Sequence, residues 1–210
     1  MFDGDQLLEK NSEQIPINNV TIEDLEQNTL NMIFYEDSFA KTRFFTNTIS
    51  EWNTPISYFD FDLLYSGYIK SGITSAVKNI TLLCPDNDNL HKNIKSVMDN
   101  ISKKKSLVII DSLNGFFNLL EGKKDAGRIV NALLMLLVSA AKNAKSIIIV
   151  GSLSKQNDKK DWVLSNTGRH VIESDYMTKI QLIESHDRTV AKILKTNNSN
   201  SITRESDSTN

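Results

Sequence analysis

The chain contains a single cysteine, Cys84, in 210 residues. An internal disulfide is therefore excluded, and a zinc site would need ligands from elsewhere. Cys84 lies in an apolar run, which predicts a buried structural thiol. The three histidines, His91, His170 and His186, are scattered singly, without the spacing of a metal site or a catalytic triad. Long apolar runs are also missing. The longest, Ala132–Val138, falls far short of the ~20 residues of a membrane span. The start lacks the basic and apolar regions of a secretory signal, so the expectation is an intracellular, cytoplasmic chain with no membrane partner. Neither sign of charge dominates: a formal net charge of −2 gives no global attraction to nucleic acid, and any such binding must come from a local patch.

An apolar share of 40% and a charged share of 24% are ordinary for a soluble globular protein, and this length suits one domain with a full core. The expected organisation is a polar N-terminal segment over 1–30, a folded domain over 31–196 and a disordered tail over 197–210, whose Ser, Asn, Thr and charged residues cannot bury enough apolar surface. Within the first segment, Thr21 and Asp24 have capping-box spacing for a helix start. Short apolar runs at Met32–Tyr35, Ile56–Phe61, Ile80–Cys84, Leu107–Ile110 and Ile147–Val150 read as strands. Helical patterns follow at about 40–52, 63–72, 89–101 and 126–143. Strands as uniformly apolar as Leu107-Val108-Ile109-Ile110 need helices on both sheet faces, and the alternation implies a mainly parallel α/β sheet. The pattern at Arg128–Lys142 is apolar around most of its circumference, which predicts a well-buried helix. Lys179–Ile183 and Val190–Leu194 read as an antiparallel hairpin at the sheet edge.

Ligands of open parallel sheets bind beyond the carboxyl ends of the strands, at helix N-termini. Four strand ends carry candidate chemistry. After the first comes Tyr35-Glu36-Asp37-Ser38-Phe39-Ala40-Lys41-Thr42, which keeps the lysine and threonine of the Walker A pattern but has Tyr35 and Ala40 at its two glycine positions. A left-handed non-glycine residue costs roughly 1–2 kcal/mol, and a charge-assisted hydrogen bond left unmade loses about 1.5–3 kcal/mol. Two such losses weaken phosphate binding by about two to four orders of magnitude. Glu36 and Asp37 add negative charge there and can cap the following helix in place of a nucleotide; alternatively, Lys41 is simply a surface lysine in a helix's first turn. At the second end, Asp62 can orient a water for attack on phosphate, or cap the next helix. At the third, Asp111 follows an apolar strand and can hold Mg²⁺, or cap a helix. At the fourth, Gly151-Ser152-Leu153-Ser154 can sense a γ-phosphate or form a tight turn.

These strand ends, in this order over about residues 30–196, resemble the RecA superfamily, in particular the archaeal RadA/KaiC-type group of recombinase paralogues. The most specific stretches are Leu107–Phe116, similar to the family's Walker B strand and following turn, and Asp175–Ile180 with Arg188–Lys195, similar to its late hairpin. The resemblance implies a RecA-like sheet flanked by helices with a C-terminal antiparallel hairpin. It assigns Lys41 and Thr42 to phosphate and magnesium, Asp111 to the Walker B aspartate, and Asp62 to the position of a catalytic glutamate one methylene longer. ATP and Mg²⁺ are the implied cofactors, with Thr42 and Asp111 as metal ligands. It also implies DNA-binding loops at roughly 120–128 and 154–168. There Lys123, Lys124, Arg128, Lys155, Lys159 and Lys160 would meet phosphates and Trp162 would stack on a base, with single-stranded DNA as partner. Solvated loops, with Trp162 tucked against the core, are the plainer alternative. The run Lys103-Lys104-Lys105 lies at the far end of a strand from this edge and reads as a solvated turn.

With both loop glycines absent, the leading expectation is a non-catalytic or weakly active RecA-like paralogue, an accessory or assembly subunit beside an active RecA-type recombinase or ATPase. The alternatives are a genuine ATPase with an unusual phosphate loop, and a signalling or scaffold subunit that does not touch DNA. RecA-like subunits are the implied protein partners.

Overall fold

In a computed structural model, which describes residues 20–158, 162–165, 177–185 and 188–194, the apolar runs line up as one sheet between two helical layers. The elements in chain order are α1 (Ile22–Glu26), β1 (Leu30–Tyr35), α2 (Ser38–Glu51), β2 (Ile56–Asp60), α3 (Leu64–Lys70), β3 (Ile80–Leu83), α4 (Leu90–Ile101), β4 (Leu107–Asp111), α5 (Leu113–Leu119), α6 (Ala126–Asn143), β5 (Ile147–Gln156), β6 (Trp162–Leu164), β7 (Met177–Ser185) and β8 (Arg188–Leu194). The strand order is β3-β2-β4-β5-β1-β7-β8, with β6 paired to the end of β5. All pairings from β3 across to β7 are parallel; β8 returns antiparallel to β7, and β6 antiparallel to β5.

The two faces of β1 show why its strand is continuously apolar. Leu30, Met32 and Phe34 enter one core with α4, α5 and α6, whereas Ile33 and Tyr35 enter another with Phe44, Phe45 and Ile49 of α2. Removing both faces from water leaves no solvent-facing position on the strand, so the period-two alternation of a half-exposed strand disappears. Asn31, wholly buried, is tolerated because its amide donates to the backbone oxygens of Leu25 and Asn28.

Several expectations meet the structure differently. The polar segment expected up to residue 30 enters the core at Val20 and Leu25, and the Thr21–Asp24 capping box forms as the spacing suggests. Cys84 is exposed, because β3 ends at Leu83 on the sheet edge and its side chain lies beyond the last covered residue. The helix at Ala126–Asn143 buries one stripe, Val130, Leu134, Leu137 and Ala141, while Met135 and Leu136 remain 45% and 49% exposed. It lies in the outer layer, with a sheet on one side only. Gly151-Ser152 is not a turn. β5 runs through it, and Gly151 is needed for room, since a Cβ there would stand 3.1 Å from the Phe45 ring and 3.4 Å from that of Tyr35. Among the described residues no helix is long and apolar enough to cross a membrane.

The end of α6 contains a local conflict. Lys145 has φ of 54°, in the left-handed region, and its N–H donates to Lys142 O while Ser146 N–H reaches Ala141 O. That is the Schellman geometry, in which glycine is the favoured residue at this position. Lys145→Gly is accordingly expected to raise unfolding stability by about 1 kcal/mol, read as a higher urea midpoint at unchanged slope.

Candidate functional site

The order β2-β4-β5-β1 brings the ends of four parallel strands to one edge, and with them Asp60, Asp111, Ser152 and Tyr35. Behind β1 the chain turns within Glu36 and Asp37 and enters α2 at Ser38. Asp37 is the N-cap, accepting from the Ala40 N–H at 3.1 Å, and its backbone oxygen takes the N–H of Lys41. Burial pushes the Asp37 carboxyl up, but hydrogen bonds with Glu184 and the N–H groups of Ala40 and Phe39, together with the charge of Arg43, outweigh this and hold it below the usual carboxylate range. The positive end of the helix is thus occupied by the chain's own acid, and no wide loop of inward-pointing N–H groups separates strand from helix.

Lys41 is not a surface lysine. It is 2% exposed, and its Nζ lies 2.5 Å from Asp111 Oδ1. The other carboxylate oxygen, Oδ2, accepts from the Tyr58 hydroxyl at 2.5 Å. The Tyr35 ring lies beside the same ammonium, 5.6 Å from centroid to Nζ. Burial raises the Asp111 pKa, and the Lys41 charge and the hydrogen bonds from Lys41 and Tyr58 act against that rise. Burial and then the Asp111 charge push both Tyr58 and Tyr35 upward, so both stay neutral phenols, and Tyr58 donates to Asp111.

Asp111 is therefore the partner of Lys41 and not a helix cap; Ser112 caps α5, its Oγ accepting from Gly115 N–H at 3.1 Å. Nor does Asp62 cap α3. The N-cap of that helix is Leu63, in a left-handed conformation with φ of 56° and no side-chain cap, and the carboxylate that holds its first turn is Asp60, accepting from Ser66 N–H at 2.7 Å. Asp62 instead accepts from Ser112 Oγ at 2.6 Å. A Cβ on Gly115 would fall 2.3 Å from Asp62 Oδ1, so the helix start passes close enough to fix that carboxylate only because residue 115 is glycine. Thr42 is half-buried and its hydroxyl donates to Ser38 O within the helix. Ser152 and Ser154 are buried and bonded to each other. Asn114 clamps β5 at the edge: its amide donates to Leu153 O, and its oxygen accepts from Leu153 N–H.

The structure thus gathers Lys41, Asp62 and Asp111 with Tyr35, Ser112 and Asn114. Tyr35, Ser38, Lys41, Asp62, Ser112 and Asn114 line a cleft of about 330 Å³. Tyr58 was not legible as a site residue, because an aromatic inside an apolar strand carries no signal of its own. Of the DNA candidates, Lys123, Lys124 and Lys155 are exposed, and Arg128 pairs with Asp125 at 3.4 Å. Lys159 and Lys160 lie outside the described residues, as does the side chain of Trp162. Thr42 and Asp111 do not meet as metal ligands here: the threonine hydroxyl is held by its own helix, and both Asp111 oxygens are engaged. Among the described residues no cluster of three or more His, Cys, Asp or Glu side chains is placed to hold a metal. As built, the residues do not fit a magnesium-bound triphosphate.

Sheet order, the flanking helices and the terminal hairpin define the class: a RecA-like α/β domain. Among solved structures, the crystal structure of the RadB recombinase is similar to it, with a TM-score of 0.52 and 16% identity over 79% of this chain and 80% of that one. No protein-family model matches the chain, and no curated protein does. At this identity the likeness establishes the fold.

Removing one partner of a buried ion pair strands the other. Lys41→Met is expected to cost about 3–5 kcal/mol at neutral pH, and Lys41→Met with Asp111→Asn clearly less than the single change. In the single variant the folded-state pKa of Asp111, already raised, loses the Lys41 attraction and rises further. An acid raised on folding favours the folded state most when protonated. The variant should therefore regain stability relative to the parent as pH falls toward the ordinary carboxylate range, in urea unfolding at a series of pH values.

Proposed function

We propose that this chain is a non-catalytic or weakly active RecA-like subunit, acting beside an active RecA-type recombinase or ATPase rather than turning over ATP itself. The observation that carries the reading is the buried Lys41–Asp111 pair: the ammonium that would meet phosphate and the carboxylate that would hold a metal neutralise each other. Three further features support it. Asp37 fills the helix end, Tyr35 stands at the first glycine position, and Tyr58 takes the second Asp111 oxygen. For a triphosphate to bind, the pair would have to separate and two buried charges would need new partners, which costs several kcal/mol per ion before any phosphate contact is made.

A second reading, an ATPase with an unusual phosphate loop, is favoured by one observation, the cleft of about 330 Å³ beside Lys41 and Asp62. Titration with a fluorescent ATP analogue, with and without Mg²⁺, separates the two. No saturable binding is expected below about millimolar analogue, in keeping with a loss of two to four orders of magnitude. ATP hydrolysis abolished both by Lys41→Ala and by Thr42→Ala would overturn the proposal. Thr42 serves as the second variant because its hydroxyl bonds only within α2 and its loss leaves the buried pair intact.

A further inference from the structure

The cleft of about 330 Å³ at the strand ends lies in a field of the wrong sign for phosphate. Three carboxylates, Asp60, Asp62 and Asp111, stand at these ends against one ammonium, and that ammonium, Lys41, is engaged by Asp111. Asp60 is the register partner of Asp111 on the neighbouring strand, and its Oδ1 is buried with no hydrogen-bond partner among the described residues. Asp62 is exposed and lines the cleft, and among the described residues no lysine or arginine lies within ion-pair distance of it. An anion would be repelled here, and a cation drawn in.

The chemistry of the lining narrows which cation. A metal ion needs several oxygen ligands, and no cluster of three or more His, Cys, Asp or Glu side chains is placed to hold one among the described residues. An organic cation needs fewer. Asp62 is already held in position, because Ser112 Oγ donates to its Oδ2 at 2.6 Å and Gly115 lets α5 approach closely. Its other lone pairs are left to a donor from outside. Apart from Lys41 and Asp62 the lining is neutral, with the Ser38 hydroxyl, the Asn118 amide and the Phe117 ring among it. A carboxylate beside an aromatic ring suits a guanidinium, whose planar fork pairs with the first and stacks on the second.

Two exposed apolar side chains sit next to lining residues in the chain. Phe39, 70% exposed, follows Ser38, and Leu63, 57% exposed, follows Asp62. Leu63 also holds a left-handed backbone with φ of 56°, which glycine would adopt without strain. A leucine both strained and exposed gains nothing from either in the isolated chain. Apolar side chains beside a lone carboxylate suit a polypeptide segment better than a free amine.

We propose that this cleft receives an arginine side chain from a segment of a partner protein, paired with Asp62 and flanked by apolar residues that cover Phe39 and Leu63. The proposal rests on the reading that the Lys41–Asp111 pair keeps phosphate out of the same cleft.

The test is fluorescence anisotropy of a labelled, capped pentapeptide with arginine at its centre between two leucines, titrated with the full chain in the absence of nucleotide. The same peptide with citrulline, the neutral isostere of arginine, is the reference. Saturable binding of the arginine form is expected, with the citrulline form about ten- to hundredfold weaker, as for one charge-assisted contact. Asp62→Asn should bring the arginine peptide down to about the citrulline level at an unchanged urea midpoint. Leu63→Gly should weaken both peptides while raising the urea midpoint, a combination that a merely structural leucine would not give. Absence of saturable binding, equal affinity for the two peptides, or unchanged affinity in Asp62→Asn would each overturn the proposal. Agmatine competing as well as the peptide would also sink it, because the cleft would then be a site for a free amine. Self-association in sedimentation that Asp62→Asn abolishes would do the same, by making a second copy the occupant. Failure of the phosphate reading shows separately, as saturable binding of the ATP analogue that Lys41→Ala removes.

Discussion

Two charges taken out of water set the terms for the upper edge of this sheet. Each costs several kcal/mol to desolvate, and attraction between them offsets that cost only where the geometry is close and the remaining lone pairs are satisfied. Lys41 on α2 and Asp111 on β4 meet this condition with the help of Tyr58 on β2, so one carboxylate ties together a helix and two strands. An apolar trio of similar volume would hold these elements about as well, which makes the pair a device of alignment more than of stability. It fixes α2 close over the strand ends, and that closeness leaves a two-residue connection between β1 and the helix.

The same arrangement divides the charge of the chain between the two edges of the sheet. Asp37, Asp60, Asp62 and Asp111 gather where the strands end, and the lysine among them is buried and neutralised. Lys103, Lys104, Lys105, Lys142 and Lys145 gather where β4 and β5 begin. A net charge of −2 conceals this separation entirely. The segregation follows from helix polarity: in a parallel α/β fold the helix N-termini share one edge and the C-termini the other, so acids suit the first and bases the second. On the acidic edge the preference is satisfied by capping, since Asp37 and Ser112 bond the first N–H groups of α2 and α5. On the basic edge the lysines exceed what two helix ends can use.

The fold was legible in the sequence because its main signal is redundant. Five apolar runs separated by helical patterns predict a parallel sheet, and a wrong boundary at any one leaves the others intact. What escaped were elements too short for a period to show: α5, which follows β4 with one residue between, and the three-residue β6. Cys84 is exposed against the expectation of a buried thiol, because an apolar neighbourhood in sequence says nothing about where the sheet stops. The candidate site was legible in membership but not in wiring. Position along the strands singled out Lys41, Asp62 and Asp111; that Asp111 pairs with Lys41, and that Asp60 rather than Asp62 holds α3, depends on contacts between residues far apart in the chain. Tyr58 shows the limit most clearly, since its hydroxyl matters only once β2 and β4 lie side by side.

Fold and site also differ in how much each depends on single atoms, and the likeness to the RadB recombinase structure at 16% identity bears on the fold alone. A core of interchangeable aliphatic side chains keeps its sheet so long as volume and pattern persist. A phosphate loop depends on backbone angles that one Cβ can forbid, so side chains at its glycine positions remove its chemistry while leaving a sheet untouched. With Lys41 turned inward onto Asp111, the strand ends still form a cleft, and Asp62 and Ser112 in its lining hold each other. The sheet order therefore speaks for the fold, and the wiring at its edge for the chemistry. Here the two point in different directions.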